Sequence, residues 1–465
     1  MEYKDQSGIV FLLDIDHQTA KVGKCKEAKG DIMIPRSVIH EGKEYIVISI
    51  EEDSFFNNDY IKSISFPDDS CVRSFGTSSF TLSAIQKIQF PKNLEKLEDD
   101  WCFSTEKLKS IDLSPENPNF SYLDDNHKII IGKSDPKNSI FDVLVFACRD
   151  IQTVIIPSFI KHICPSAFYQ CQQFKKIQFE DKSQLETIGK SCFKLTRFEE
   201  IKFPQTLKTI GMDIFRESGL KKCQFDENCQ IKIIPRESFF SSRLQIVSIP
   251  KDVYLLDYRW AAYSEITTII LSPLNPHLTY IDNQHKIIAG KTDINSPVFN
   301  IIFFACRDVK RAQIPSSIKH IASNAFEGCY KLESLEFDQG TSIETLGDCC
   351  FSQCRSLQRV SLPKGLKRYG DDVFERCDNM VSIDILDEIV YISPSFLPHC
   401  RQLEVLNCPN ATIIVYDKYS FEYLSPNFTV NRPPNALFTN DDSDENNKIR
   451  MKFDIDFIDS EICKY

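Results

Sequence analysis

One segment of the chain reads Ile318-x-x-Ile321-x-x-x-Ala325-Phe326-x-x-Cys329-x-x-Leu332-x-x-Leu335-x-Phe337, with mostly polar residues at x. The next segment follows the same order, from Ile343-x-x-Leu346 through Cys350-Phe351 to Leu362-Pro363. The aromatic residue that marks the pattern recurs every 22 to 25 residues, at Phe168, Phe193, Phe215 and Phe239 and again at Phe326, Phe351 and Phe374. About twelve such repeats lie between residues 46 and 408, and the least regular is 253–271.

The end of each repeat predicts a short β-strand, because apolar and polar residues alternate there with the period of a half-buried strand. Proline follows this strand in several repeats, where its missing N–H does little harm: Pro67, Pro91, Pro204, Pro250 and Pro363. The rest of the repeat is too short for a helix and predicts an extended return with a 3₁₀-like turn. A repeat of about 23 residues cannot bury its apolar side chains alone, so the repeats must stack into a β-rich solenoid.

A longer duplication is superimposed on the short repeat. Residues 115–168 and 273–326 align without a gap at an offset of 158. His127-Lys128-Ile129-Ile130 returns as His285-Lys286-Ile287-Ile288, and Phe146-Ala147-Cys148-Arg149-Asp150 returns as Phe304-Ala305-Cys306-Arg307-Asp308. The segments 115–157 and 273–315 therefore predict two matching inserts with the character of β-hairpins.

The ends of the chain differ from the repeats. Residues 1–45 predict an N-terminal β cap, 46–408 the solenoid with its two inserts, and 409–430 a C-terminal cap. Residues 431–465 predict an acidic linker followed by a strand-like tail, because 449–457 alternate strictly between apolar and charged residues. This tail can fold back on the edge of its own solenoid, or it can pair with a partner or a second copy, which would give self-association.

Composition limits the classes of partner and the location. The formal net charge of −11 argues against nucleic acid as a partner. No apolar run reaches the 18 residues of a membrane-spanning helix. The first residues lack the basic and apolar regions of a secretory signal, so we expect a reducing, cytoplasmic compartment with free thiols.

The repeat that ends in Leu332-x-x-Leu335-x-Phe337 resembles the BspA-like class of leucine-rich repeats. The insert motif Asn275-Pro276-x-Leu278-x-Tyr280-x-Asp282 looks like the hairpin insertion that interrupts arrays of this family. The resemblance covers about residues 8–430 and implies a curved, right-handed stack with a parallel sheet and short 3₁₀ or helical turns. It also implies a surface-antigen-like role in binding or adhesion, often at the surface of microbes or protozoa, and it carries no catalytic residues. The resemblance suggests the cell surface and the missing secretory signal suggests the cytoplasm, so the sequence leaves both locations open.

The chain contains several groups that resemble parts of a chemical site, and each has a structural explanation. The common nucleotide-binding, zinc-protease and hydrolase motifs are missing from the sequence. The densest cysteine cluster, Cys349-Cys350-x-x-x-Cys354, falls in repeated positions that face the stack, which indicates buried thiols more than a metal site. His162 and Cys164 resemble a ligand pair. In the duplicated copy His320 corresponds to His162, but Ala322 takes the place of Cys164. We therefore predict neither metal nor cofactor nor enzymatic activity.

Two further kinds of residue pair, His–Asp and Arg–Asp, recur in the duplicated inserts. His127 and His285 recur beside Asp124 and Asp282, and a shared hairpin geometry explains them without a catalytic triad. The Arg-Asp pairs at 149–150 and 307–308 predict local ion pairs or caps of the return strand. Such ion pairs contribute little to the stability of the fold if they are exposed.

The strand itself is the best candidate binding surface, because the residues on either side of its central apolar position project together from the sheet. We call this surface the strand face; its predicted residues are Ser110, Asp112, Lys176, Gln178, Glu200, Lys202, Lys222, Gln224, Ser334, Glu336, Arg359, Ser361, Ser382 and Asp384. The inserts add four predicted contact residues that protrude from the body: Phe120, Tyr122, Leu278 and Tyr280. A polar face of this kind can also be merely solvated. The sequence thus predicts a module that binds a protein or a glycan, with a self-associating structural scaffold as the alternative.

Overall fold

The structure is a computed structural model that describes residues 1–417, 419–422 and 424–440. The chain forms two compact units, Met1–Leu220 (unit 1) and Lys221–Tyr465 (unit 2). Every regular element in the described ranges is a β-strand, and no helix occurs in them. Those residues consequently contain no helix that could cross a membrane.

Unit 1 contains strands of two to eight residues: β1 (Glu2–Lys4), β2 (Val10–Asp14), β3 (Thr19–Val22), β4 (Gly30–Met33), β5 (Ser37–His40), β6 (Lys43–Ile50), β7 (Ile61–Ser65), β8 (Ser74–Phe75), β9 (Lys87–Phe90), β10 (Lys96–Leu97), β11 (Ser110–Leu113), β12 (Phe120–Tyr122), β13 (Ile129–Gly132), β14 (Val143–Ala147), β15 (Thr153–Ile156), β16 (His162–Ile163), β17 (Lys176–Phe179), β18 (Thr187–Ile188), β19 (Glu200–Phe203) and β20 (Thr209–Ile210).

Unit 2 follows the same plan: β21 (Lys222–Phe225), β22 (Ile233–Ile234), β23 (Ile246–Ile249), β24 (Leu255–Leu256), β25 (Thr268–Leu271), β26 (Thr279–Tyr280), β27 (Ile287–Gly290), β28 (Ile301–Ala305), β29 (Arg311–Ile314), β30 (His320–Ile321), β31 (Ser334–Phe337), β32 (Thr345–Leu346), β33 (Arg359–Leu362), β34 (Arg368–Tyr369), β35 (Ser382–Ile385), β36 (Ile389–Ile392), β37 (Val405–Asn407), β38 (Ile413–Tyr416), β39 (Thr429–Asn431) and β40 (Leu437–Asn440).

Most regular repeats contribute one strand of about four residues and one of two residues, and within each unit strands of the same kind pair in parallel between many neighbouring repeats. In unit 1, the longer strand β9 pairs with β11 so that Ile88 faces Ile111. The short strands β16, β18 and β20 pair in turn, which aligns Ile163, Ile188 and Ile210. This arrangement confirms the predicted β-solenoid of stacked repeats.

The turns between the two strands differ from the predicted 3₁₀ or helical turns. Ser166 and Gln170 adopt left-handed φ angles of 58° and 56°, which interrupt the run of right-handed residues that a 3₁₀ helix needs. The amide of Tyr169 donates within the turn to the carbonyl of Ser166, whereas the amides of Ser166 and Gln170 donate to Lys190 and Lys194 of the next repeat. In a 3₁₀ helix these amides would donate to carbonyls of the same turn. In the observed turn they donate to the next repeat and so connect the two repeats.

The interior of the stack is built around the repeated aromatic residue. In unit 1, the ring of Phe193 lies 5.4 Å from the rings of both Phe168 and Phe215, and all three are fully buried. In unit 2, Phe351 lies 5.2 Å from Phe326 and 5.2 Å from Phe374. The spacing of the rings follows the distance of about 4.8 Å between neighbouring strands.

Each insert enters the sheet of short strands through antiparallel pairing. In unit 1, β12, β13 and β14 pair antiparallel, and β14 then pairs in parallel with β16; β26, β27, β28 and β30 repeat this order in unit 2. A tryptophan of the preceding repeat packs against each insert: Trp101 lies 5.6 Å from Phe146, and Trp260 lies 5.0 Å from Phe304. Both predicted inserts are therefore integral parts of the stack.

The two ends of the array are built differently. At the N-terminus, β1 pairs antiparallel with β2 and β2 with β3. Toward the C-terminus, β39 and β40 continue the parallel pairing of the repeats beyond residue 408. The predicted linker boundary at 431 is therefore too early, because the pairing of β40 with β38 holds residues 437–440 in the sheet. The strand-like segment 449–457 lies outside the described residues.

Candidate functional site

The strand face has the alternation that the sequence predicted. In β17 and β33 the central Ile177 and Val360 are buried, while the residues on both sides of each are exposed. All of the predicted face residues lie on strands in this way and none is buried: Ser110 and Asp112 on β11, Lys176 and Gln178 on β17, Glu200 and Lys202 on β19, Lys222 and Gln224 on β21, Ser334 and Glu336 on β31, Arg359 and Ser361 on β33, and Ser382 and Asp384 on β35.

Most acidic groups on this face already have partners within the face. In unit 1, Lys87 pairs with Asp112 at 2.5 Å. In unit 2, the hydroxyl of Ser334 donates to Glu336 at 2.8 Å, and the amide of Asn407 donates to Asp384 at 2.7 Å. These carboxylates are satisfied by the stacked side chains of their own sheet.

Several basic groups on the face have no such partner. Lys176 and Lys202 in unit 1 form no ion pair with any described residue, and neither do Lys222, Arg311 and Arg359 in unit 2. Four of them are exposed, and Lys222 is half-buried. Each unit therefore presents positive groups that its own side chains leave unneutralised.

The sequence prediction omitted several residues of the same face. Lys87 and Gln89 lie on β9 beside β11, and Arg311 and Gln313 lie on β29 beside β31. Both strands show the apolar and polar alternation that identified the others, followed by proline, so the signal was present in the sequence.

Charged residues that directly precede the short strands are neutralised instead. Lys208 binds Glu186 at 2.8 Å in unit 1, and Lys367 binds Glu344 at 2.7 Å in unit 2. The hydrogen bond from each lysine lowers the pKa of its glutamate below the ordinary value. Because these ion pairs join neighbouring repeats, the short strands offer a partner less free charge than the strand face does.

A groove of about 360 Å³ runs along the short strands of unit 1. Its lining includes His162, Thr187 and Gly189, and the imidazole Nδ1 of His162 lies 2.8 Å from the Thr187 hydroxyl. A Cβ at Gly189 would lie 2.3 Å from the backbone nitrogen of Pro165, so glycine is required there by the close approach of two repeats. The groove thus follows from the packing of the repeats.

The predicted contact residues of the inserts do not all protrude. Phe120 and Leu278 are only 8% and 2% exposed and belong to the interior, because the inserts join the sheet. Tyr122 is half-buried, and its hydroxyl donates to the Ile111 carbonyl and accepts the Leu113 amide. The same contacts recur in unit 2, where the Tyr280 hydroxyl binds Ile269 and Leu271. The expected protrusion is therefore wrong for Phe120 and Leu278, and both tyrosines tie the insert to the preceding strand.

The histidine–aspartate pairs of the inserts have structural partners. The ring of His127 stacks on Tyr122 at 4.0 Å, and His285 stacks on the corresponding tyrosine at 4.4 Å. Asp124 accepts the amide of Lys128, and Asp282 accepts that of Lys286, which closes each hairpin turn. Their recurrence follows from a shared turn geometry.

The duplicated arginines are not paired with the neighbouring aspartates. Asp150 binds Lys128 and Asp308 binds Lys286, each at 2.9 Å. Arg149 is 3% exposed and lies over the Phe146 ring at 4.4 Å. Arg307 is 7% exposed and lies over the corresponding ring at 4.2 Å. The predicted local ion pairs are thus wrong, because the chain turns these guanidinium groups inward against an aromatic ring.

The cysteines of the described residues are free, and all of them are buried except Cys71, Cys164 and Cys349. Burial raises the pKa of Cys350 and Cys354 well above the ordinary thiol value. Within the described ranges, no group of three or more histidine, cysteine or acidic side chains has the geometry of a metal site. In the densest cluster, Cys350 and Cys354 are therefore protonated thiols in the interior of the stack, whereas Cys349 is half-buried.

The thiols should react with an alkylating reagent in a defined order. We expect iodoacetamide to modify Cys71 first among the described cysteines of the native protein at about pH 8, because the thiolate is the reactive species. Burial raises the pKa of Cys164 and Cys349 to about 12, so both should react slowly. Mass spectrometry of digested protein measures the order, and the protein in urea is the control. Native labelling of Cys350 as fast as Cys71 would contradict the buried position.

Comparison with protein families identifies a match over most of the chain. The model of a family described as "BspA type Leucine rich repeat region (6 copies)" matches residues 43–126, 139–283 and 297–427. No curated protein matches the chain.

Solved structures of leucine-rich-repeat proteins are similar to the chain over nearly its full length. A leucine-rich cell surface protein of Faecalibacterium prausnitzii is 19% identical with a TM-score of 0.42, and the alignment covers 97% of each chain. The pneumococcal vaccine antigen PcpA is 14% identical with a TM-score of 0.37, covering 93% of this chain and 98% of its own. A protein of Bacteroides ovatus is 15% identical with a TM-score of 0.32, covering 92% and 98%. Similarities this distant support no functional argument.

Proposed function

Because the chain belongs to the BspA-type leucine-rich-repeat family, we propose that it is a non-enzymatic module that binds a protein or glycan through its strand face. One observation carries this proposal: basic side chains on the face have no ion pair with any described residue. Lys176 and Lys202 provide them in unit 1, and Lys222, Arg311 and Arg359 provide them in unit 2.

The unpaired groups indicate the chemistry of the partner. Directly before the short strands, lysines such as Lys208 and Lys367 form ion pairs with glutamates of neighbouring repeats. On the strand face, Asp112, Glu336 and Asp384 bind hydroxyl, amide or lysine groups. Among the predicted acidic residues of the face, Glu200 has no partner in the described ranges. A partner that carries carboxylate, sulfate or phosphate groups would complete the pairs that the face leaves open.

The energetics require contacts at several positions. One exposed ion pair contributes only about 0–1 kcal/mol, so a single lysine cannot hold a partner. Several such pairs spaced along the strand face of one unit can add up, and the association should weaken as salt screens the charges. An extended negatively charged chain therefore fits the strand face of either unit better than a small ligand does.

Charge reversal tests the face. A variant with Lys176→Glu, Lys202→Glu, Lys222→Glu and Arg359→Glu is compared with a control in which four other exposed lysines, Lys107, Lys182, Lys310 and Lys331, are changed to glutamate. The probes are heparin, poly-glutamate and uncharged dextran. We expect the native protein to bind at least one anionic probe and the face variant to lose roughly fourfold or more in affinity, from four pairs of about 0.2–1 kcal/mol each.

The control variant removes the same number of positive charges, so it should keep most of the affinity if position matters. Equal weakening of both variants would mean that overall charge governs binding. Failure of the native protein to bind either anionic probe would overturn the assignment of the face to a negatively charged partner.

A further inference from the structure

The insert of unit 1 interrupts the sheet of longer strands and leaves two strand edges. The strand before it is β11, and there the Tyr122 hydroxyl accepts the Leu113 amide at 2.7 Å and donates to the Ile111 carbonyl at 2.8 Å. The strand after it is β15, which pairs with β17 alone among the described strands. The insert thus covers the edge of β11, whereas no described residue bonds to the outer edge of β15.

The pairing of β15 with β17 identifies the backbone groups on this outer edge. The Ile156 carbonyl accepts the Glu180 amide at 3.0 Å, so Val154 and Ile156 direct their backbone groups toward β17. Because alternate residues of a strand turn these groups to opposite sides, the amides and carbonyls of Thr153 and Ile155 point away from β17. We call these groups the β15 edge. They have the spacing that an added strand would pair with.

The side chains along the β15 edge favour an extended acidic peptide as the occupant. Ile155 is 60% exposed, and β15 contains neither a proline nor a charged residue that would discourage pairing. Lys176 lies beside Thr153 on β17 and forms no ion pair with a described residue. A second copy of β15 would bring no carboxylate to this lysine, because the strand reads Thr-Val-Ile-Ile. A glycan does not carry amides and carbonyls at the spacing of a strand.

Unit 2 repeats the open edge with different side chains. β29 pairs with β31 alone among the described strands, and the Tyr280 hydroxyl covers the edge of β25 before the insert. The residues that correspond to Thr153 and Ile155 are Arg311 and Gln313, and the Gln313 side-chain amide donates to Asp338 at 2.7 Å. The open edge therefore follows from the geometry of the insert, and the exposed isoleucine distinguishes unit 1.

We propose that the β15 edge binds an extended acidic peptide as an added strand. The peptide backbone pairs with Thr153 and Ile155, an apolar side chain of the peptide packs on Ile155, and a carboxylate binds Lys176. This inference rests on the proposed function and specifies the partner as a peptide.

Hydrogen exchange in the full chain tests the added strand. The probe is the peptide Glu-Val-Glu-Val-Glu-Val-Glu-Val with blocked ends. An analogue that is N-methylated at every residue carries the same charges but has no amide donor. We expect the probe to slow exchange of the Thr153 and Ile155 amides at least roughly tenfold, and the analogue to leave both unchanged.

A variant of the edge gives a second measurement. Ile155→Pro removes an outward amide and keeps every charge of the strand face, and an edge strand tolerates proline where its N–H faces outward. Affinity for the probe should fall about twofold to tenfold, as for one lost hydrogen bond, whereas Ile155→Val should retain it. Amides around Phe193 should exchange as in the native protein, which checks that the array remains folded.

Four outcomes would contradict the proposal. Equal binding of the probe and its N-methylated analogue, with unchanged exchange at Thr153 and Ile155, would overturn the added strand and leave the proposed function intact. Binding of heparin through the strand face without binding of the probe would do the same. A doubled mass of the free protein, together with slow exchange of the same two amides, would mean that a second copy occupies the edge. Failure of every anionic probe would overturn the proposed function and this inference with it.

Discussion

Replacing Arg307 with methionine should lower the free energy of unfolding by about 3–5 kcal/mol, because it leaves a buried carboxylate without its cation. The guanidinium Nη2 of Arg307 lies 3.6 Å from the Glu327 carboxylate, whose side chain is 1% exposed. Arg149→Met is the matched control in unit 1. Nε and Nη2 of Arg149 have no hydrogen-bond partner in the structure, and no described carboxylate pairs with it. We expect a change of less than about 1 kcal/mol there, measured by urea unfolding.

The cost of Arg307→Met should depend on pH. Burial raises the pKa of Glu327 above its ordinary value of 4.5, and Arg307 opposes this rise. Without Arg307 the folded-state pKa should rise further. A carboxyl group with a raised folded-state pKa contributes its full stability below the unfolded value of 4.5 and loses it as the pH rises through the folded value. The gap between Arg307→Met and the native protein should therefore widen from about pH 4.5 toward neutrality.

A double variant separates charge from packing. Arg307→Met combined with Glu327→Gln removes the carboxylate, so it should recover part of the lost stability at neutral pH and show a flatter pH dependence. Equal losses in Arg307→Met and Arg149→Met at neutral pH would contradict the role assigned to Glu327.

Replacing Phe351 with alanine should cost about 3–5 kcal/mol, because the ring is fully buried and its removal opens a cavity that the stack cannot close. The ring contacts Phe326 and Phe374 at 5.2 Å each, so two neighbouring repeats lose contact surface. Urea unfolding measures the loss. Hydrogen exchange should accelerate most in the repeats on either side, since repeats of a solenoid contact mainly their neighbours.

Phe159→Ala is the control for Phe351→Ala, because the Phe159 side chain is 41% exposed. We expect this change to cost less than about 1 kcal/mol. Similar losses for the two variants would show that the stack of rings is not the main source of stability in unit 2.

The periodic part of the structure was predictable from the sequence because its causes are local. A strand turns alternate side chains to opposite faces, so the polar residues beside Ile177 or Val360 had to project from the sheet. Lys87 and Arg311 precede buried apolar residues in strands of the same alternation. Proline, aromatic and cysteine positions likewise repeat in register, and most cysteines of the described residues are buried in the interior.

The turns and the inserts were less predictable because their details depend on neighbouring repeats. The left-handed conformation of Ser166 is stabilised by an amide that donates to Lys190 of the next repeat, and nothing in the repeat alone requires it. Phe120 and Leu278 look like exposed hairpin residues in sequence. They are buried because β12 and β26 enter a sheet whose other strands come from elsewhere in the chain.

The amino-acid sequence by itself determined the repeat, the alternation of each strand and the need to stack, because a segment of about 23 residues cannot bury its own apolar side chains. Only the tertiary structure decided which charges are neutralised. The partner of Lys208 is Glu186 and that of Arg307 is Glu327, about one repeat away in each case. Such pairs depend on side-chain direction and on distances of a few ångströms, which spacing along the chain does not specify.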